Sequence, residues 1–367
     1  MKSPFITLLL CISCLYGHTQ LAPPAYDSII QRLGNEFSKD TATAGLSIGI
    51  LYGKNTWFYN FGKGNPDEHS IYEIGSITKT FISLVLAHAL TEGKVSLTDD
   101  VRKYLEGDFS NLAYKGEPIR LVNLANTTSA LPDNLARRTD SGFTKLDFLQ
   151  ALAAIKPDTI PGTKARHSNV AAALLAYIME AVYKEPIDVL VNRYILEPLQ
   201  MTETSFGNAI TPTRMMKGYK TGGEMAAYLT SVFAKGTGSM RSTTSDMIKY
   251  LSYLQAHTTP ESKLSLQPTV SVDAGTNKVR DLVSIDMIND RVYGLSLNWL
   301  QYHPEKGNLR IWTDGGTAGF RSYIVLYPES QLSLIFLSNR TGEKILDKMY
   351  TIGHKIFRML GDKDAKQ

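Results

Sequence analysis

Cysteine is nearly absent: the only two among 367 residues, Cys11 and Cys14, both stand close to the N-terminus. The rest of the chain therefore offers no thiol for a disulfide or for cysteine catalysis. Charge of one sign is also missing. With 39 basic and 35 acidic residues the net charge is +4, and no run of lysine and arginine is long enough to make a phosphate-binding stripe, which argues against nucleic acid as a partner. Beyond the first twenty positions no apolar stretch is long enough to span a bilayer. Internal repeats and low-complexity tracts are lacking too, and nothing points to disorder or a fibre.

What is present is the material of a substantial core, with 43% hydrophobic residues. The opening, MKSPFITLLLCISCLYGHTQLAPP, has one lysine, an apolar run from Phe5 to Tyr16, then polar residues and prolines. That is the outline of a secretory signal peptide over residues 1–20, so the expected product, residues 21–367, is exported to a periplasm or secreted. A rival reading makes Cys14 a lipid-anchored first residue.

Residues 25–38 place Ile29, Ile30, Leu33 and Phe37 at helical spacing. β-formers on either side of Gly53-Lys54 predict a hairpin, Ala44 to Tyr52 and Thr56 to Phe61. From there to about residue 257 the apolar period is mostly helical, as in LTDDVRKYL, TKLDFLQALAAI and NVAAALLAYIMEAVY. Residues 258–288 read as a polar connection. Strand-like runs follow (VYGLSLNWLQY, LRIWTDG, SYIVLYP, LSLIFLSN), and EKILDKMYTIGHKIFRML predicts a closing helix. Strands at both ends imply an α/β (α+β) fold within one domain: an antiparallel sheet from about 25–65 plus 289–362, flanked by helices, with a helical lobe over about 66–288.

Three stretches can carry chemistry. In IYEIGSITKTFISLVLAHALTEG, Ser76 precedes Lys79 by one helical turn, so both side chains share a face of a helix expected to open at Ser76 and stop at Gly93. That helix is apolar on every side and belongs in a core. Burial and the positive end of the helix dipole both disfavour an ammonium there, which would let Lys79 take the proton of Ser76. An N-cap serine and a snorkelling lysine fit the four residues equally well, and the pattern arises by chance roughly once in a chain this long. In PGTKARHSNVAAALLAYIME, His167 and Asn169 point the same way if the loop is extended, and a neutral imidazole there can shuttle a proton. An N-cap at Ser168 or Asn169 beside an ordinary loop histidine is the plain alternative. In IWTDGGTAGFRSYIVLYPE, Gly315, Gly316 and Gly319 interrupt a strand-like run. An edge strand exposing the Gly316 N–H would supply one oxyanion donor and the Ser76 N–H the other; a glycine-rich turn with no ligand is the alternative.

In this order and at these separations, the three groups resemble the serine β-lactamase-related family, which includes class C β-lactamases, D-alanyl-D-alanine carboxypeptidases and related esterases. The resemblance spans nearly the whole chain after the leader. It takes in GILYGKNTWFYNFGKG, YEIGSITKTF, EGKVSLTDDVRKYL, LVNLANTTSALP, GTGSMRSTTSDMIKYL and GGTAGFRSYIVLYPE. It implies a β-lactamase/transpeptidase-like fold, Ser76 as acylated nucleophile and Lys79 as its base. His167 and Asn169 fall on the ends of the family's Tyr-x-Asn motif, which implies a catalytic role for His167 and a substrate-binding one for Asn169. Thr313-Asp314-Gly315 falls on its Lys-Thr-Gly triad or the His-x-Gly variants, a substrate-binding stretch. Two departures follow: His167 stands where relatives carry tyrosine, and Thr313, followed by Asp314, where they carry lysine or histidine. Lys220-Thr221-Gly222 spells the triad but precedes the wrong elements and reads as an exposed turn.

In β-lactamases and D-Ala-D-Ala peptidases the triad cation helps hold the substrate carboxylate. Thr313 and Asp314 remove that attraction, so a neutral or cationic ester or amide, small or peptidic, is the expected substrate unless Arg321 turns inward. No metal or cofactor is called for, and no oligomeric state is implied. A carboxypeptidase or β-lactamase acting on cell-wall peptides or β-lactams is the nearest alternative, and a descendant that only binds in the cleft is the other.

Overall fold

A computed structural model describes residues 24–40, 44–135, 142–207, 212–231, 233–273, 292–302 and 308–362. The leader and Cys14 lie outside the described residues. The first described element is helix α1 (Pro24–Asp40), which lays Ile30, Leu33 and Phe37 onto the sheet. Gly34 permits the approach: a Cβ there would come within 2.1 Å of the Phe61 ring. Strands β1 (Gly45–Tyr52) and β2 (Asn55–Gly62) form the expected hairpin. Its two-residue turn opens on Gly53 at φ +58°, the sign that a type II′ turn requires there.

The N-terminal hairpin is joined to strands from the far end of the chain. Strands β3 (Val270–Asp273), β4 (Val292–Leu295), β5 (Leu300–Tyr302), β6 (Arg310–Gly316), β7 (Arg321–Tyr327) and β8 (Leu332–Ser338) complete an eight-stranded sheet. Its order is β2-β1-β8-β7-β6-β5-β4-β3 and every neighbour is antiparallel. Period-2 alternation gives the sheet two buried faces. Along β7, Tyr323, Val325 and Tyr327 face the layer of α1 and the terminal helix α7 (Glu343–Leu360), whereas Ile324 and Leu326 face the helical lobe.

That lobe is organised on helix α2 (Thr78–Thr91), whose Phe81, Ile82, Leu84, Val85 and Leu86 are all buried. Each such side chain stabilises the fold by about 1.5–3 kcal/mol relative to exposure. Around it lie α3 (Lys145–Ala153), α4 (Asn169–Tyr183), α5 (Thr244–Ala256) and α6 (Pro260–Leu266). Phe81 stacks on Tyr250 of α5 at 4.3 Å, and the Tyr250 hydroxyl donates to Thr80 Oγ1. The polar residues of α2 that go into this core are satisfied: Thr78 Oγ1 accepts from the Met240 N–H, and Ser83 Oγ from Asn298 Nδ2.

Several expectations need correction. The connection 258–288 contains α6 and the outer strand β3, so the sheet draws on residues before 289; positions 274–291 lie outside the described residues. VYGLSLNWLQY is two short strands, because Asn298 at φ +61° turns the chain between them and buries Trp299. LTDDVRKYL makes only a 3-10 turn, Val101–Tyr104. Among the described residues no helix is long and apolar enough to cross a membrane.

Candidate active site

A cleft of about 650 Å³ lies between sheet and helical lobe, lined by Ser76, Lys79, His167, Asn169, Thr313, Asp314, Gly315 and Gly316. All eight residues singled out in the sequence thus border one cavity. Lys220-Thr221-Gly222, by contrast, forms an exposed turn away from it, where the Lys220 N–H donates to Glu224 O.

Ser76 does not open an α-helix, contrary to expectation. It sits in a 3-10 turn, Gly75–Ile77, that leads into α2. The cause is backbone packing. Gly75 adopts φ +51°, and a Cβ on it would meet the Gly316 nitrogen at 2.4 Å. On the other strand residue, a Cβ on Gly315 would collide with Ile74 O at 2.2 Å, Ser322 Oγ at 2.6 Å and the Ser76 nitrogen at 2.8 Å. The turn and β6 approach so closely that only glycine fits on both sides.

The strand carrying Gly316 is likewise not a sheet edge, since β6 lies between β5 and β7. It is open only in part: β5 pairs with Arg310–Trp312 alone, which leaves residues 313–316 without a strand on that side, while the Ser76 turn packs against both β6 and β7, where Ser322 Oγ donates to Ile74 O. The Thr317 N–H donates to Phe320 O, closing the β6–β7 hairpin. Ladder alternation then makes Gly316 and Arg321 a non-hydrogen-bonded pair, with the Gly316 N–H turned away from β7. The Ser76 N–H, in the first turn of its 3-10 segment, has no intrahelical partner. Two backbone donors are thereby left near the serine hydroxyl. Gly315→Ala should abolish labelling of Ser76 by a serine-directed probe while far-UV circular dichroism stays native, because the clash falls on the turn that carries Ser76.

Lys79 is buried, and its Nζ donates to Ser76 Oγ at 2.7 Å, Asn169 Oδ1 at 3.0 Å and Thr237 O at 2.8 Å. Burial pushes its pKa down to about 7, although the carboxylates of Asp133 and Asp314 pull the other way. A lysine poised there can exist as a free amine at neutral pH and accept a proton from the hydroxyl it touches.

Ser168 caps α4, its Oγ accepting from the Ala171 N–H, and holds the preceding loop extended, so His167 and Asn169 face the same way. Both reach a residue that the sequence reading passed over. Asp133 Oδ1 accepts from His167 Nδ1 at 2.6 Å and from Asn169 Nδ2 at 3.4 Å, and the Asn169 N–H donates to Asp133 O at 2.9 Å. The imidazole beside Asp133 holds its carboxyl below the usual carboxylate range. Asp133 directly follows LVNLANTTSALP, which the resemblance includes, but an aspartate in a loop gives no signal of its partner.

Across the cleft, Thr313 is partly exposed and the Asp314 carboxylate accepts from the Tyr350 hydroxyl at 2.8 Å. Burial raises the Asp314 pKa. Arg321 does turn inward, with its guanidinium over Gly316, where a Cβ would fall 1.9 Å from Nη1. It is paired with Glu343 at 2.9 Å. Among the described residues no cluster of His, Cys, Asp and Glu is placed to hold a metal.

An antiparallel sheet built from both chain ends, a helical lobe and a serine–lysine pair at their junction define a serine hydrolase of the β-lactamase and D-Ala-D-Ala carboxypeptidase kind. A sequence model of the Beta-lactamase family matches residues 30–352, and the chain belongs to that family. The D-alanyl-D-alanine-carboxypeptidase/endopeptidase AmpH of Escherichia coli K12 is 26% identical over 359 residues, covering 93% of this chain and 92% of its own length. A Beta-lactamase of Pseudomonas fluorescens is 25% identical over 331 residues, covering 81% of this chain and 88% of its own. Among solved structures, a Beta-lactamase/D-alanine Carboxypeptidase from Yersinia pestis complexed with citrate superposes with TM-score 0.74 at 23% identity, over 90% of this chain and 99% of that one. A class C beta-lactamase gives TM-score 0.73 at 19% identity, over 93% and 98%. These two likenesses speak to the fold, which is the one expected.

Proposed function

We propose that this is an exported serine hydrolase that forms an acyl-enzyme on Ser76 and acts on a neutral or cationic ester or amide. The observation that carries the reading is the 2.7 Å contact between Ser76 Oγ and a buried Lys79 Nζ whose pKa is pushed down to about 7. Ser76 attacks the carbonyl as its proton passes to Lys79. The Ser76 and Gly316 N–H groups receive the oxyanion, worth about 100- to 1,000-fold in rate per donor. His167 protonates the leaving group and, in the second step, activates water. Asn169 holds Lys79, while Thr313, Asp314 and Gly315 form the substrate-facing wall. The leader-like N-terminus supports export to a periplasm or beyond it.

Charge supports the choice of substrate. On the Thr313 side of the cleft Asp314 and Glu343 stand beside Arg321, and Arg321 already has a carboxylate partner. A substrate carboxylate held on that side would meet, among the described residues, no cation free of a carboxylate partner. A carboxypeptidase or β-lactamase reading is favoured instead by the names of the relatives and by the inward turn of Arg321; the changed residues His167, Thr313 and Asp314 favour a cleft that only binds.

The deciding experiment is fluorophosphonate labelling of the purified protein with peptide mapping. An adduct on Ser76 is expected, and a folded protein without one supports the binding reading. With catalysis established, the anionic β-lactam nitrocefin should show kcat/KM at least about 100-fold below that of a neutral p-nitrophenyl ester. Fast, Ser76-dependent nitrocefin turnover would overturn the substrate class, and release of D-alanine from soluble peptidoglycan fragments would identify the peptidase.

A further inference from the structure

Resting on the hydrolase reading above, we infer that Asp133 is a positioning residue which commits His167 to one tautomer and so makes an aspartate–histidine pair the second proton-transfer element of this site. The geometry is specific. A carboxylate only accepts hydrogen bonds, so the 2.6 Å contact with Asp133 Oδ1 requires the hydrogen on Nδ1 of the neutral ring. Nε2 then keeps its lone pair, and it makes no hydrogen bond to any described residue. His167 lines the cleft, so Nε2 is the nitrogen available to a reacting group.

The pair is wired to the nucleophile. Ser76 Oγ touches Lys79 Nζ, Lys79 touches Asn169 Oδ1, and the other end of the same amide reaches Asp133 Oδ1, which holds His167. Asp133 is the point where the lysine branch and the histidine branch meet. A tyrosine in place of His167 would need no such partner, because a phenol has one oxygen that both donates and accepts. An imidazole has two unlike nitrogens and needs its tautomer chosen.

In deacylation the step balances as follows. Water oxygen bonds to the acyl carbon and gives one proton to Nε2. The tetrahedral intermediate collapses as the bond from carbon to Ser76 Oγ breaks, and Oγ takes the proton from Nε2. One water is consumed, and a carboxylic acid and the free serine hydroxyl are formed. With the opposite tautomer, Nε2 carries the hydrogen and has no lone pair for that proton. The side chains of His167 and Asp133 are 44% and 51% exposed, so the pair acts through orientation more than through field strength.

Asp133→Asn isolates this role. The backbone bonds that pin the segment persist: the Asn169 N–H still donates to the carbonyl of residue 133, and Ser168 Oγ to Pro132 O. Asn169 Nδ2 keeps Asn134 Oδ1 at 3.1 Å, so Lys79 keeps its contacts. An amide at 133 can present N–H to Nδ1 and select the wrong tautomer. On a neutral p-nitrophenyl ester, Asp133→Asn should lower kcat about 10- to 100-fold, with KM falling alongside it where deacylation limits turnover. In a His167→Gln background the same substitution should change kcat less than about twofold, since the residue through which it acts is gone. Asp133→Glu, which keeps a carboxylate, should recover part of the loss. Equal losses from Asp133→Asn in both backgrounds, or no loss in either, would overturn the inference. Labelling of Ser76, run in parallel, separates this failure from that of the hydrolase reading, since an unlabelled native protein removes the latter and a labelled one with an inert Asp133 removes only the former.

Discussion

Ser76→Ala is expected to give a folded protein that takes no fluorophosphonate and hydrolyses a neutral p-nitrophenyl ester at least about 10,000-fold more slowly than the native chain. The hydroxyl has no substitute: among the described residues Ser76 Oγ is the only hydroxyl within hydrogen-bond distance of Lys79 Nζ. The loss should fall on kcat. Alanine keeps the N–H of residue 76 and leaves the turn against β6 unchanged, so binding of the carbonyl survives while covalent chemistry does not. Stability should barely move. Lys79 retains Asn169 Oδ1 at 3.0 Å and Thr237 O at 2.8 Å when the 2.7 Å contact goes. The thermal midpoint is expected within about 2 °C of native. Persistent labelling, mapped to another residue, would move the nucleophile elsewhere.

The legible parts of this molecule were those written in local period. Alternation along SYIVLYP becomes the two buried faces of β7, and the apolar run after Lys79 becomes the buried helix α2, because periodicity reports burial directly. Of the eight candidate site residues, Ser76, Lys79, His167 and Asn169 were legible through their side chains and Gly315 and Gly316 through their bare backbone, whereas Thr313 and Asp314 entered through the family resemblance. What stayed hidden depends on backbone approach between distant segments. The 3-10 turn at Ser76 exists because Gly75 and Gly316 touch, a contact that no local pattern encodes. The opening at residues 313–316 follows from β5 being three residues long. Thr237 supplies Lys79 with a carbonyl, an atom every residue has, and Asp133 announces its role only through the histidine beside it. Local sequence and the family resemblance thus nominated residues that the fold brings to one cleft, and tertiary packing decided their partners.

Lys79→Arg carries the second large effect and separates two accounts of the lysine. If Lys79 served only as a positive charge beside Ser76, arginine would preserve much of the activity. As the base it must lose a proton, which arginine does not do in a protein, so kcat should fall about 100- to 10,000-fold. Because arginine is also larger in a buried site, Lys79→Met is the companion: it removes the charge with similar bulk and should fail equally. The pH profile of the native chain reads the same proton. With the Lys79 pKa pushed down to about 7 by burial, against the pull of Asp133 and Asp314, the free-amine fraction falls tenfold for each pH unit below that value. Activity at pH 5 should therefore be about 100-fold below the plateau reached above pH 8. Stability runs in the same direction. The unfolded chain holds the lysine proton up to about pH 10.5, whereas the folded one releases it near 7, so unfolding takes up a proton between those values. The burden of burying Lys79 is thus greatest below pH 7 and lifts as pH rises towards 10.5. In Lys79→Met both the acidic limb of the residual activity and that component of the stability profile should vanish. A flat native activity profile from pH 5 to 8 would show that the lysine enters the reaction already neutral, or does not act as the base.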